Sequence, residues 1–343
     1  MTTQAFGDLE SIARALVTPG KGILAADESH GTIEQRFRSI DVASTEENRG
    51  AYREMLVTTA GIEAFISGVI LFDETIRQTT ADGTPFGEFL TNRSIIPGIK
   101  VDQGAKSLAN APQEKITEGL DGLRQRLAEY RGLGARFSKW RAVITIGEDI
   151  PSEYCIWTNA HALARFASLS QEAGLLPIVE PEVLMDGDHG IGRSFDVTSR
   201  TLHAVFTELR DQRVHLEEML LKPNMVLSGS ESAEQAPPPE VAEWTLRCLY
   251  RHVPAAVPGI VFLSGGQSDE DATANLNALN ATGPHPWELS FSFGRALQGP
   301  SLQAWRGEAA NVEAGQRAFS HRAAMNSAAR SGSYSPDMEG AGS

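Results

Sequence analysis

The sequence predicts an α/β fold, a single-domain (β/α)8 TIM barrel. Eight short apolar runs, at 22–27, 65–72, 96–102, 141–147, 176–182, 219–226, 259–266 and 287–294, recur along 343 residues. Their ends lie 28 to 45 residues apart, which leaves room each time for a loop and a helix. Short runs rich in Val, Ile and Leu, separated by helical patterns, read as βαβ units of a parallel sheet. Eight such units close into a barrel. The alternative is a doubly wound open sheet. It calls for a GxGxxG turn after the first strand, and none stands there.

The helical segments carry the expected period. Asp8 is placed to cap a helix with Leu9, Ile12, Ala13 and Leu16 on one face. Thr198 precedes Leu202, Val205, Phe206 and Leu209 at the same spacing. Ser268 with Asp271 forms a capping box ahead of Leu276 and Leu279. Residues 228–239 form a Ser/Glu/Pro-rich loop, and the Gly/Ser-rich segment 331–343 reads as a mobile C-terminal tail. The catalytic barrel domain is thus expected over 1–330.

Composition removes several classes of function. Lys and Arg total 30 against 44 Asp and Glu, a net charge of −14. A nucleic-acid binder needs a basic face, and a polybasic membrane-surface protein needs a cationic one. No stretch approaches the roughly 20 apolar residues of a membrane span. With 41% hydrophobic residues the chain can bury a core. Residues 1–10 show no signal or transit pattern, and Cys155 and Cys248 stand outside any CxxC. Reduced, packed thiols in a cytoplasmic protein are expected.

Charges interrupt the strands where apolar residues belong. Lys100 and Asp102, Lys139 and Arg141, and Glu180 and Glu182 each lie two apart. Two residues apart is the same side of a strand. Asp27 closes the first run, and Lys222 sits among Leu220, Leu221 and Met225 with Pro223 after it. Any one of these reads as a rim charge; the set converges on one barrel mouth, where active sites of this fold lie. A poorly solvated amine beside another cation loses its proton more readily, and a neutral amine attacks a ketone to form a Schiff base. Lys222 fits that description, with Lys139 as the neighbouring cation. Ser264, Gly265 and Gly266 end the seventh run, and Gly294 and Arg295 end the eighth. Loops after strands seven and eight often hold phosphate through backbone N–H groups, and an Arg fork suits its oxygens. Lys100 on one side and Arg295 on the other suit a ligand with two anionic ends.

Seven segments in register, at 20–29, 98–102, 139–141, 178–182, 220–226, 262–268 and 293–297, resemble class I fructose-1,6-bisphosphate aldolase. The matches run over nearly the whole chain. The resemblance implies metal-independent, reversible cleavage of fructose 1,6-bisphosphate to dihydroxyacetone phosphate and glyceraldehyde 3-phosphate, with no cofactor. It implies Lys222 as the Schiff-base lysine and Glu180 as the acid/base. Asp27 would orient the C4 hydroxyl, Lys139 would stabilise developing charge, and Glu182 would order the lysines. Ser264, Gly265, Gly294 and Arg295 would hold the ketose-side phosphate, and Lys100, Ser29, Thr32, Arg36 and Arg141 would serve the other. The partners implied are a sugar phosphate and copies of the same chain in a homotetramer, with no nucleic acid and no membrane.

Three positions depart from the family pattern. Vertebrate members end in a tyrosine that assists proton exchange at C3, whereas the last tyrosine here is Tyr334. A basic pair after the first strand reads Gln35 and Arg36, and Thr32 replaces a common serine while keeping the hydroxyl. The nearest enzymatic rival, a metal-dependent aldolase, needs a histidine-rich site. The eight histidines are scattered, and the one compact cluster, at 186–189, reads as a loop after strand five.

Overall fold

A computed structural model describes residues 9–342 of the chain. Eight parallel strands close into the barrel: β1 (Gly22–Ala26), β2 (Ile66–Leu71), β3 (Ile96–Lys100), β6 (Phe137–Ile144), β7 (Leu176–Val183), β8 (Leu220–Leu221), β9 (Gly259–Phe262) and β10 (Glu288–Phe293). Between β3 and β6 runs an antiparallel hairpin, β4 (Ala105–Leu108) and β5 (Ala111–Thr117). Around the barrel the order is β1, β10, β9, β8, β7, β6, β3, β2, and β1 pairs with both β2 and β10. All eight expected runs are strands of this barrel.

Helices follow the strands: α1 (Leu9–Leu16), α2 (His30–Arg38), α3 (Glu46–Val57), α4 (Asp73–Ile76), α5 (Phe86–Asn92), α6 (Leu123–Gly132), α7 (Glu153–Glu172), α8 (Ile191–Asp211), α9 (Pro238–His252), α10 (Asp269–Ala281), α11 (Arg295–Trp305) and α12 (Val312–Arg330). The outward faces of the strands and the inner faces of the helices form one large core. Trp140 on β6 stacks on Phe166 of α7 within it, ring centroids 5.7 Å apart.

The barrel interior is a second, separate cluster. Ile23, Ala25, Ile70, Ile96, Phe137, Leu176, Ile178, Leu220 and Val261 meet Ile12, Ala13, Leu16 and Val17 of α1 and the residue after it. The amphipathic face of α1 therefore closes the N-terminal end of the barrel. The cap expected at Asp8 lies outside the described residues. Gly98 faces Phe137 across the β3–β6 pair. A Cβ at Gly98 would stand 2.2 Å from the Phe137 ring, so the ring occupies the space that the glycine leaves open. Gly98→Ala is expected to destabilise the protein by about 1–3 kcal/mol through overpacking. Thermal unfolding checks this, and an unchanged Tm contradicts it.

Several boundaries differ from expectation for identifiable reasons. β6 begins at Phe137, four residues before the apolar run at 141–147, because Lys139 is buried as part of the strand. Lys139 and Arg141 therefore lie inside the strand and not at its start. α8 begins at Ile191, so Thr198 is an interior residue whose hydroxyl accepts from Asn224 Nδ2 at 3.1 Å. The hairpin β4–β5 is polar on both strands and gave no apolar signal. Ser268 does cap α10: its Oγ accepts from Asp271 N at 3.0 Å and donates to the Asp271 carboxylate at 2.6 Å.

Cys155 and Cys248 are buried free thiols. The segment after α12 carries a short 3-10 helix, Pro336–Gly342. Glu339 on it accepts from Tyr334 Oη at 3.0 Å and pairs with Arg322 at 2.5 Å and His321 at 2.9 Å. No helix among the described residues is long and apolar enough to cross a membrane.

Candidate active site

Strand parity builds the site. On β7, Leu176 and Ile178 belong to the inner cluster, so Glu180 and Glu182 point the same way, nearer the C-terminal end. On β6 the order is Phe137, Lys139, Arg141; on β3 it is Ile96, Gly98, Lys100; on β1 it is Ile23, Ala25 and then Asp27. Lys222 follows Leu220 on β8, and its N–H continues the ladder by donating to Val179 O at 2.8 Å. Asn224 fixes the chain beyond it, accepting from Val183 N at 3.0 Å. The lower half of each strand is thus apolar floor and the upper half is charged.

These side chains line a cavity of about 1360 Å³. All of the sequence-derived site residues face it: Lys222, Glu180, Asp27, Lys139, Glu182, Lys100, Arg141, Ser29, Thr32, Arg36, Ser264, Gly265, Gly294 and Arg295.

At its centre two lysines share two carboxylates. Lys139 Nζ lies 2.7 Å from Asp27 Oδ2 and 3.1 Å from Glu180 Oε2. Lys222 Nζ lies 3.1 Å from Glu180 Oε1. Lys139, Glu180 and Lys222 are each 3% exposed, so little water competes with these pairs. Burial alone would raise the Asp27 carboxyl, but the charges of Lys139 and Lys222 outweigh it and hold Asp27 well below the usual carboxylate range. Glu180 is lowered in the same way, with burial opposed by Lys139, Lys222 and Arg141. Burial would lower the Lys139 ammonium, but Asp27, Glu180 and Asp102 raise it above an ordinary lysine. Asp27 and Glu180 are therefore carboxylates and Lys139 is a cation throughout the neutral range.

The neighbouring groups are also paired. Lys100 Nζ donates to Asp102 Oδ1 at 2.5 Å and to Asp102 O at 2.7 Å. Asp102 accepts in addition from Gly104 N and Arg141 N, which fixes the end of β3 to β6. Arg141 pairs with Glu182 through its Nε. Among the described residues no lysine pairs with Glu182, which was expected to order the lysines; its ion-pair partner is Arg141. In the register of β6 and β7, Arg141 sits opposite Glu180, and its side chain reaches forward to Glu182, two residues further along β7.

Two backbone features suit anionic groups. Gly265 and Gly266 adopt φ of +57° and +99°, a left-handed turn that side-chain-bearing residues rarely take. α11 begins at Arg295 with Gly294 as its cap and no side-chain cap bond, and both residues line the cavity, a setting that suits an anion at the helix N-terminus. On the opposite flank Ser29 is the cap residue before α2, its hydroxyl 3.1 Å from that of Thr32. The cluster at 186–189 lies in the loop between β7 and α8, as expected, where Gly229 N donates to His189 O at 2.7 Å.

The family model described as glycolytic, fructose-bisphosphate aldolase class-I, matches residues 8–343. The chain belongs to the class I fructose-bisphosphate aldolase family. A probable class 1 fructose-bisphosphate aldolase of Xanthomonas campestris is 56% identical over 327 residues, 95% of this chain and 98% of that one. The Arabidopsis thaliana cytosolic fructose-bisphosphate aldolase 6 is 54% identical over 98% of this chain and 94% of its own. A solved structure of the Plasmodium falciparum aldolase superposes with a TM-score of 0.94 at 47% identity, covering 98% of this chain and 99% of that one. The enzyme is a lyase. It cleaves fructose 1,6-bisphosphate reversibly by Schiff-base chemistry, as its family does in glycolysis.

Sequence reasoning missed the support of this enzyme's site. Glu28, 7% exposed, pairs with Arg53 and Arg36 and accepts from Gln298 Nε2 at 2.9 Å. Gln298 also donates to Ala25 O at 2.7 Å, and Tyr52 Oη donates to Gln298 Oε1 at 3.1 Å. Arg53 also donates to Ala26 O, so this buried network holds the residues on either side of Asp27. Its members come from α2, α3 and α11, and of them only Arg36 was expected from the sequence.

Proposed function

We propose that the aldol cleavage is carried by Lys222 as Schiff-base nucleophile with Glu180 as its proton partner. The observation supporting this is the Lys222–Glu180–Lys139–Asp27 chain of ion pairs at the closed end of the cavity. Lys222 passes a proton to its ion-pair partner Glu180 Oε1, and the amine so freed adds to the C2 carbonyl of the open-chain ketose. Glu180 returns that proton to the ketone oxygen, a second proton passes from the nitrogen by the same route to the carbinolamine hydroxyl, the hydroxyl leaves as water, and a protonated iminium remains. The iminium accepts the electron pair of the C3–C4 bond. As that bond breaks, the C4 hydroxyl loses its proton to Glu180, now a carboxylate again, while Asp27 orients the hydroxyl. Glyceraldehyde 3-phosphate departs. The enamine takes a proton at C3, and hydrolysis releases dihydroxyacetone phosphate and Lys222. Lys139 stays cationic and offsets the charge that develops on these oxygens.

The ketose-side phosphate is assigned to Ser264, Gly265, Gly294 and Arg295, where the left-handed turn and the α11 N-terminus supply N–H donors. The aldehyde-side phosphate is assigned to Ser29, Thr32, Lys100, Arg36 and Arg141. Glu182 acts through Arg141, holding its guanidinium in place. Arg295→Ala is expected to raise KM for fructose 1,6-bisphosphate by about 10-fold or more with a smaller change in kcat, since a phosphate grip present in the ground state is lost. Steady-state kinetics check this, and an unchanged KM removes Arg295 from the phosphate site.

Borohydride reduction in the presence of dihydroxyacetone phosphate tests the central assignment. A stable adduct on the Lys222 peptide is expected by mass spectrometry, and an adduct on any other lysine refutes it. A cytoplasmic location is proposed from relatives named cytosolic in Arabidopsis thaliana and cytoplasmic in Spinacia oleracea. A homotetramer is proposed on the family resemblance.

A further inference from the structure

The charges lining the cavity nearly cancel: nine cationic side chains face eight carboxylates. Their pairing shows where the surplus lies. On the aldehyde-side flank Lys100 is matched by Asp102, Arg141 by Glu182, and Arg36 by Glu28. At the rim Arg77 pairs with Asp73 and Glu129. Arg126 directs its guanidinium at the carbonyl oxygens of Val101 and Gly119. Lys139 and Lys222 share Asp27 and Glu180. Two lining cations remain with no ion pair or hydrogen bond among the described residues: Arg295, at the start of α11, and Lys106, on β4.

These two stand on opposite flanks. Arg295 follows β10, and Lys106 follows β3. Around the barrel β10 and β3 are separated by β1 and β2 on one side and by β9, β8, β7 and β6 on the other. Each flank therefore carries one cation with neither an ion pair nor a hydrogen bond among the described residues, a pattern suited to a substrate with an anionic group at either end. Lys106 is exposed, and its strand is held in place by pairing with β5 opposite Ile116. The hairpin thus brings a long flexible lysine into the lining of the same cavity as Lys100 and the neutral Gln35.

We infer that Lys106 is a specificity-determining residue that binds the aldehyde-side phosphate and favours bisphosphorylated ketoses over ketoses phosphorylated only at C1. This rests on the phosphate assignment above. Lys100, Arg141 and Arg36 already have carboxylate partners, so each gains less from an arriving phosphate than a cation with none. Lys106 loses no existing pair when it closes on the phosphate. It takes no part in proton transfer, so its contribution falls on binding and leaves the chemical step alone.

The test compares fructose 1,6-bisphosphate with fructose 1-phosphate as substrates of Lys106→Met. The expected result is a KM for the bisphosphate raised about 3–10-fold with kcat within about two-fold. KM for fructose 1-phosphate stays at the wild-type value, so the preference for the bisphosphate falls by the same factor. Lys106→Arg, which keeps the charge, restores the wild-type preference. Lys115→Met, on the other strand of the hairpin and away from the cavity lining, leaves both substrates unchanged and controls for net charge. An unaltered preference in Lys106→Met overturns the inference, as does an equal rise in KM for both substrates. Borohydride trapping on the wild type separates the two readings. Trapping at Lys222 with an unaltered preference in Lys106→Met removes Lys106 alone; failure of trapping at Lys222 removes the Schiff-base assignment and leaves the substrate comparison to judge Lys106.

Discussion

Lys222→Arg is expected to lower kcat for fructose 1,6-bisphosphate cleavage by about 10⁴-fold or more while the fold survives. Arginine keeps the positive charge and can still pair with Glu180, so the buried carboxylate is not left alone. A guanidinium stays protonated at any pH the protein tolerates and cannot add to a carbonyl. The variant therefore separates the nucleophile from the charge. Circular dichroism and thermal unfolding should stay close to wild type, and borohydride with dihydroxyacetone phosphate should leave no adduct. Turnover within tenfold of wild type would refute Lys222 as the nucleophile.

Glu180→Gln is expected to lower kcat by about 10²–10⁴-fold, the usual contribution of a placed acid/base. Glutamine has the same shape but accepts no proton, so both carbinolamine dehydration and C4 deprotonation slow. Stability falls as well, because Lys139 keeps only Asp27 and Lys222 loses the one ion-pair partner it has among the described residues. The sign of the pH dependence follows from the shifts. Asp27 and Glu180 are lowered on folding, so their stabilisation is present above the ordinary carboxylate value and is lost as pH falls through the lower folded value. Lys139 is raised, so its stabilisation is present below the ordinary lysine value and is lost as pH rises through the higher folded one. Between about pH 5 and pH 10 the cluster thus contributes a constant amount in the wild type. The Gln variant should be less stable across that whole window rather than at one edge of it. A kcat unchanged by the substitution would show that another group moves the proton.

Much of this was legible along the chain because the physics is local. A side chain two residues beyond an inward apolar residue must also point inward, so Leu220 announces Lys222 and Ile178 announces Glu180. The pairing of these charges was not legible. Whether Glu182 meets a lysine or an arginine depends on the stagger of β6 against β7, and a stagger leaves no mark in either strand's own sequence. The hairpin β4–β5 escaped notice because its polar faces lack the alternation that marks a half-buried strand.

The sequence by itself determined the eightfold alternation, the floor of inward apolar residues, the charged residues above it and the family to which they correspond. The tertiary structure decided which charges neutralise one another, that Glu28 is gripped from α2, α3 and α11, and that Arg295 and Lys106 alone among the described lining cations have neither an ion pair nor a hydrogen bond. The physical reason is range. Backbone periodicity and side-chain polarity act over a few residues, whereas a Coulomb partner is chosen by distances of about 3–4 Å that exist only once strands far apart in sequence have closed into a ring.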